Sequence, residues 1–373
     1  MKIKPLIVLF VGALTWQCGA PKVTVDPLTG TQRAKNVILM IGDGMALTQI
    51  SAAMFSSDEP LALEEFPVTG LHKTHAHDDL TTDSGAAATA FACGVKTYKF
   101  AIGVDSDSIP CKTVLEEAQE RGMATGVVVT STIVHATPAA FVAHQPLRAY
   151  HEAIAVDIAE ADIDFLVGGG RRFFDQRKSD DRDLVREMIG KGYEVKDFRE
   201  VPLNMLTPDP VFNFLYFTGD EDPAPVMAGR NYLAYASELG MTFLRNRSRN
   251  GYFLLVEGSQ IDWAGHSNQA DWMIEEVKDF DQAVSRILRY AKKRDDTLVI
   301  VTADHETGGM AIQPESSFEE LAIKFVNNEH TPQLVPVFAY GPGAELFSGI
   351  YDNTDIYRKL RQALGWGAEQ ATR

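Results

Sequence analysis

Val37-Ile38-Leu39-Met40-Ile41-Gly42-Asp43-Gly44 is an unbroken apolar run stopped by a tight acidic loop. A strand apolar on both sides is buried on both faces, the condition of a parallel strand with helices above and below it. Similar runs recur at 124–129, 165–167, 253–256, 298–302 and 335–340. Between them lie segments of helical period. The clearest spans Asp271 to Lys293, where Ile274, Val277, Phe280, Val284, Ile287 and Ala291 recur at spacings of three and four. This alternation predicts an α/β fold: a three-layer sandwich with a mostly parallel central sheet and helices on both faces. No internal repeat or linker interrupts it after Asn36, so residues 36–373 are expected to form a single domain. The stretch from Arg171 to Arg230, richer in charge and proline, reads as a peripheral elaboration.

With 373 residues, 45% of them apolar, the chain has ample material for one large core. Its 51 acidic residues against 35 Lys and Arg give a formal charge of −16, which repels polyanions and argues against nucleic acid as a partner. Residues 1–18 carry Lys2 and Lys4, then a short apolar segment to Trp16, then Cys18. This is a secretory signal pattern too short for a membrane span, and cleavage before a lipidated Cys18 follows as an expectation. The protein is accordingly expected to be exported, periplasmic or at the cell surface. Residues 19–35, with Pro21, Pro27 and Gly30, read as a flexible tether. Cys93 and Cys111 are expected to be buried thiols rather than a disulfide.

In open parallel sheets, ligands bind beyond the carboxyl ends of the strands. Asp43 follows the first run, Glu257 the 253–256 run, with Asp262 and His266 close behind. Asp304 and His305 follow the 298–302 run, and His330 precedes the last. Singly, such residues are caps or solvated turn residues. Gathered at one sheet edge, the carboxylates would repel one another unless cations lay among them. The Asp and His mixture suits zinc, and the carboxylates and hydroxyls suit magnesium. One further stretch, Thr82-Asp83-Ser84-Gly85-Ala86-Ala87-Ala88-Thr89-Ala90 running to Gly94, predicts a helix of very small residues, capped by Asp83 or Ser84 and closed by Gly94. Ser84 would then sit at the positive end of the helix dipole, where a phosphate fits. The plainer reading is an Ala-rich buried helix with a serine cap.

In order, Ile41-Gly42-Asp43-Gly44-Met45, Thr82-Asp83-Ser84, Gly94-Val95-Lys96-Thr97-Tyr98, Ala136-Thr137-Pro138-Ala139-Ala140, Val256-Glu257-Gly258, Asp262 with His266, and Thr302-Ala303-Asp304-His305-Glu306 resemble the motifs of alkaline phosphatases. The resemblance covers about Asn36 to Gly343. It implies an alkaline-phosphatase-like fold and hydrolysis of phosphate monoesters through a phosphoserine at Ser84, with Arg148 clamping the phosphate. It also implies two Zn2+ ions, one held by Asp262, His266 and His330 and the other by Asp43, Asp304 and His305. A third ion, usually Mg2+, would be held by Asp43, Thr137 and Glu257. His135 stands where the enterobacterial pattern has an aspartate near the third metal, and Trp263 where it has a lysine reaching towards the phosphate. A histidine could recruit a zinc or another transition metal there, and Trp263 supplies no cation. Both changes read as a subtype.

Two metal ions beside one serine make a general-base histidine unnecessary. Among partners, small phosphate monoesters come first, with a lipid anchor and a homodimer as further expectations. Two rivals stand against this reading: a related two-zinc phosphodiesterase or phosphomutase, and a surface lipoprotein that binds phosphate esters without turnover. Other histidines invite a plainer account. His72, His75 and His77 read as an exposed edge or loop, and His144 and His151 as packing or solvent-facing residues. The run from Arg245 to Arg249 complements the dipole of the helix before it.

Overall fold

The structure, a computed structural model, describes residues 32–367. The expected signal segment and most of the tether lie outside these residues. The tether's end does not behave as one: Ala34 is buried, its N–H donates to the Ala363 carbonyl (2.9 Å), and Lys35 N donates to the Asp296 carbonyl (2.9 Å). Backbone pairing and apolar burial at Ala34 thus fix the entry to the first strand earlier than composition implied.

Among the described residues, fourteen strands form in chain order. They are β1 Asn36–Gly42, β2 Val68–Lys73, β3 Ala124–Thr132, β4 Phe165–Gly169, β5 Tyr193–Asp197, β6 Asn213–Phe217 and β7 Tyr252–Gly258. After these come β8 Thr297–Thr302, β9 Glu306–Thr307, β10 Ala311–Ile312, β11 Ile323–Lys324, β12 His330–Thr331, β13 Val335–Tyr340 and β14 Gly349–Asp352. Ten of them make one sheet in the order β14-β2-β13-β8-β1-β7-β3-β4-β6-β5, parallel throughout except that β13 runs against both its neighbours. The helices are α1 Leu47–Phe55, α2 Ser84–Cys93, α3 Val114–Glu120, α4 Ala136–Ala139, α5 His151–Glu160, α6 Arg172–Asp175 and α7 Leu184–Gly190, then α8 Leu233–Arg247, α9 Gln260–His266, α10 Ala270–Ala291 and α11 Thr354–Ala363.

Alternate residues of β1 go to opposite cores. Val37, Leu39 and Ile41 join one apolar cluster with α2 to α7 and α11; Ile38 and Met40 join the other with α1, α8, α9 and α10. Burial on both faces is what the unbroken apolar run demanded. On α10, all six residues that set the helical period are buried.

Two expectations are corrected. The 171–230 stretch is not peripheral, because β5 and β6 complete the edge of the main sheet. Every residue of β6 is buried, and Phe214 stacks on Phe165 at 5.4 Å; the surrounding charge and proline hid a short aromatic core strand. The 72–77 stretch is not an exposed edge at its start, since β14 covers β2 and buries His72. His72 Nε2 lies 3.0 Å from the Ala303 carbonyl and 3.2 Å from Thr302 Oγ1, and burial pushes the ring down to about 4. The imidazole is therefore a neutral strut under the end of β8.

His144 and His151 are both half-buried, as packing residues should be. The first bonds Glu116 (3.1 Å), which raises it to about 9, and the second meets the Phe173 ring edge-on at 5.0 Å. Arg245 and Arg247 do lie in the last turn of α8. Arg247 binds Asp164 (2.7 Å) and the Pro210 carbonyl (2.9 Å), so that run is spent on packing the helix end. Cys93 and Cys111 are free thiols, the first buried and the second half-buried.

Candidate active site

Register brings the reactive residues together. In β1, Ile41 pairs with Glu257 of β7 on one side and with Thr302 of β8 on the other, and Glu257 pairs with Val129 of β3. The carboxyl ends of β8, β1, β7 and β3 therefore lie side by side, and Asp43, Glu257, Asp304, His305 and His135 emerge along one edge. Asp262 and His266, four apart on α9, share a helix face above it. His330 is delivered by a ribbon in which β12 pairs antiparallel with β9, setting His330 opposite Thr307.

Ser84 is the first residue of α2, and all ten residues of that helix are buried. The cap is Asp83: its carboxylate accepts from Gly85 N and Ala86 N, both at 3.1 Å. The serine hydroxyl is left for other work, with Ser84 Oγ 3.4 Å from Asp43 Oδ2 and 3.5 Å from His305 Nε2. Small residues matter here as expected, since a Cβ on Gly85 would come within 2.7 Å of the Ala101 carbonyl oxygen. Asp83 also holds Arg148, whose Nη1 donates to Asp83 Oδ2 (2.9 Å) while Nη2 donates to His135 Nε2 (3.2 Å). Burial would raise Asp83, but the Arg148 charge and the N–H donors outweigh it and hold its carboxyl below the ordinary value.

Three groups of donor atoms converge, each within 4.8 Å: Asp43, Asp304 and His305; Asp262, His305 and His330; and Asp43, His135 and Glu257. His266 joins the second, its Nε2 3.0 Å from His330 Nε2 and 3.4 Å from Asp262 Oδ2. Burial pushes Asp43 well up, with Asp304, Asp262 and Glu257 adding to it, and burial lifts Glu257 to about 7. Burial also acts on Asp304, but His305 outweighs it and lowers that carboxyl. His135 goes down to about 3 through burial and then the Arg148 charge. Asp43 Oδ1, Asp304 Oδ2, Glu257 Oε1, Thr137 Oγ1 and His135 Nδ1 are all buried without a hydrogen bond of good geometry. Buried carboxylates that repel one another and leave oxygens without a well-aligned donor fit divalent cations, and the mixed imidazole and carboxylate set fits zinc.

A cavity of about 560 Å³ opens over Ser84, lined also by Arg148, His135, Asp262 and Trp263, the last edge-on to His135 at 5.8 Å. The structure thus brings the residues named above for phosphate and metal binding to one end of the sheet, Thr137 among them beside Glu257. It also adds some that were missed. Thr307 Oγ1 bridges Asp262 and His305 Nδ1, and Glu306 gathers Gln49 Nε2 (2.8 Å), Gly309 N (3.1 Å) and the Thr331 hydroxyl, which pins the ribbon carrying His330. Both directly follow Asp304-His305, and Glu306 stood in the family motif without a role, so adjacency was the available signal. Ser259 Oγ donates to Glu257 Oε2 (2.7 Å), and Lys99 and Phe100 also line the cavity; no pattern pointed to these.

Comparison with known proteins accords with the geometry. The alkaline phosphatase family model matches residues 34–325. Alkaline phosphatase 3 of Bacillus subtilis (strain 168) is 34% identical over 88% of this chain and 89% of its own. The alkaline phosphatase from the Antarctic bacterium TAB5 is 39% identical, superposes with a TM-score of 0.85, and is matched over 90% of this chain and 99% of that one. A variant of the same enzyme with a histidine replaced by aspartate is described with Mg bound in the M3 site. Sharing its motifs, its sheet and its relatives with these phosphatases, the chain belongs to the alkaline phosphatase family.

Proposed function

We propose that the protein is an exported phosphomonoesterase that releases inorganic phosphate through a phosphoserine at Ser84. The observation that carries this reading is the environment of Ser84 Oγ: free of capping duty, 3.4 Å from Asp43 and 3.5 Å from His305, and open to the cavity that Arg148 lines. Ser84 Oγ would bond to phosphorus as the ester oxygen leaves with a proton, and water would then displace the serine, releasing phosphate. Arg148 presents a planar fork that can take two non-bridging oxygens, its orientation held by Asp83. Asp262, His266 and His330 would hold one zinc ion, and Asp43, Asp304 and His305 the other; Asp43, Thr137 and Glu257, with His135 beside them, would hold the third ion. Bound there, the ions would supply positive charge for the entering and leaving oxygens of an in-line displacement. Thr307 and Glu306 would keep Asp262, His305 and His330 aimed.

The test compares a phosphate monoester with a diester, before and after chelation. Rapid hydrolysis of the monoester alone is expected, lost on chelation and restored by zinc plus magnesium, with about two transition-metal ions per chain on elemental analysis. Fewer than two, or a preference for the diester, would overturn the reading. Among the described residues no helix is long and apolar enough to cross a membrane. Residues 1–18 support export, periplasmic or to the cell surface, with lipid on Cys18, which the mass of the mature N-terminus would decide. A homodimer is carried over from the family resemblance, and light scattering would test it.

His135 and Trp263 tune this site in the proposal. Trp263→Lys introduces a cation near the phosphate and is expected to tighten inhibition by inorganic phosphate about tenfold while lowering turnover, since slower product release limits such cycles. His135→Asp supplies an oxygen ligand beside Asp43 and Glu257 and is expected to shift the third site towards magnesium. The aspartate variant of the Antarctic enzyme supports that direction. Phosphate inhibition constants and magnesium titrations are the measurements, and no change in either would remove both side chains from the site.

A further inference from the structure

Phe100 stands in the left-handed region, with φ of 74°. A residue with a Cβ is strained there, and bulky side chains are rare in it. The backbone accounts for the conformation. Phe100 N donates to Asp83 Oδ1 (2.8 Å) and its carbonyl accepts from Arg148 N (2.7 Å), so the residue ties the cap of α2 to the loop bearing the arginine. Glycine would make both bonds without strain.

The ring therefore needs a reason of its own, and packing does not provide one. Phe100 is 47% exposed, joins neither apolar core, and lines the cavity that also holds Ser84, Arg148 and Trp263. The Lys99 ammonium lies over the ring only at the far limit of a cation–π contact, 6.0 Å from its centroid, and is engaged by Thr81 Oγ1 (3.2 Å) and Asp79 (3.5 Å). With the phosphate end of the cavity occupied by Ser84 and Arg148, the alcohol half of an ester has to project towards the mouth, where Phe100 and Trp263 are its aromatic surfaces.

We propose that Phe100 is a specificity-determining residue whose ring, together with that of Trp263, receives a planar aromatic leaving group. The proposal rests on the reading of Ser84 as the nucleophile of a monoesterase. An aryl or heteroaryl group can meet the two rings edge-on or offset-stacked, whereas a short polyol gains little from either. Strain kept in the backbone at this position would then be the counterpart of selectivity among esters.

The experiment uses the full-length metalloprotein and the variants Phe100→Gly and Phe100→Asn, both residues that accept positive φ. It measures kcat/KM for phenyl phosphate and for glycerol 2-phosphate and takes their ratio, so that changes in the shared phosphate chemistry cancel. Inhibition by phenylphosphonate relative to methylphosphonate gives a binding readout without turnover. Both the ester ratio and the phosphonate preference are expected to fall about fivefold to tenfold in both variants. Ratios within twofold of the parent in both variants, or a fall with glycine but not asparagine, would overturn the assignment while leaving the monoesterase reading in place. Absence of Ser84-dependent hydrolysis in the parent would overturn both.

Discussion

Ser84→Ala is expected to lower kcat/KM for a phosphate monoester by about a thousandfold or more and to abolish covalent labelling of the protein by substrate phosphate. Stability and metal content are expected to stay close to those of the parent. The separation follows from the cap of α2. Because Asp83, not Ser84, receives the N–H groups of Gly85 and Ala86, removing the hydroxyl leaves the helix start intact. What Ser84 Oγ does touch, Asp43 Oδ2 at 3.4 Å and His305 Nε2 at 3.5 Å, it touches at the long limit of a hydrogen bond. Had Ser84 been the cap, its loss would have cost about 1 kcal/mol of stability, and lost activity could have been blamed on the fold. Rate and phosphate labelling, read alongside thermal unfolding, decide it. Near-normal turnover in a folded variant would mean that water attacks phosphorus directly.

The strands that frame the site were legible for a physical reason. Parallel strands buried on both faces need apolar residues at every position, and β1, β7 and β8 consist of little else until Asp43, Glu257 and Asp304 interrupt them. A charge placed at the end of such a run has to be at the carboxyl edge of the sheet, so those residues announced themselves. β6 did not, because five residues between charged segments give periodicity too little to work on, and β2 did not, because a strand with Gly and His reads as polar until β14 is seen to cover it. His330 was visible only as a histidine before the last apolar run, and its place in a ligand set came from the family resemblance. Its position depends on the pairing of β9 with β12, which sets His330 opposite Thr307, 23 residues earlier, a contact that no local pattern encodes. The identity of the cap, left open between Asp83 and Ser84, needed coordinates for the same reason: the carboxylate serves four donors at once, two of them, Phe100 N and Arg148 Nη1, from distant loops.

That fourfold use of Asp83 leads to the second large effect. Arg148→Ala is expected to reduce kcat/KM for a monoester by about a hundredfold to ten-thousandfold, since two charge-assisted hydrogen bonds to phosphate contribute on the order of 1.5–3 kcal/mol each. Inhibition by inorganic phosphate should weaken as well, because product and substrate offer the same oxygens. The protein should still fold. Asp83 keeps its three backbone donors when the guanidinium is gone, so the buried carboxylate is not left bare. Arg148→Lys is the sharper variant: it keeps the charge but loses the fork, and a single ammonium cannot bond Asp83 and two phosphate oxygens in one plane. It should recover only part of the loss. Trp263 offers no substitute cation, and although Lys99 lines the same cavity, its ammonium is engaged by Thr81 and Asp79 at the rim. Steady-state kinetics of the two variants with one monoester, together with phosphate inhibition constants, test the assignment. A loss below about threefold in Arg148→Ala, far short of what one charged hydrogen bond contributes, would show that the arginine serves only to brace Asp83 and that another group holds the phosphate.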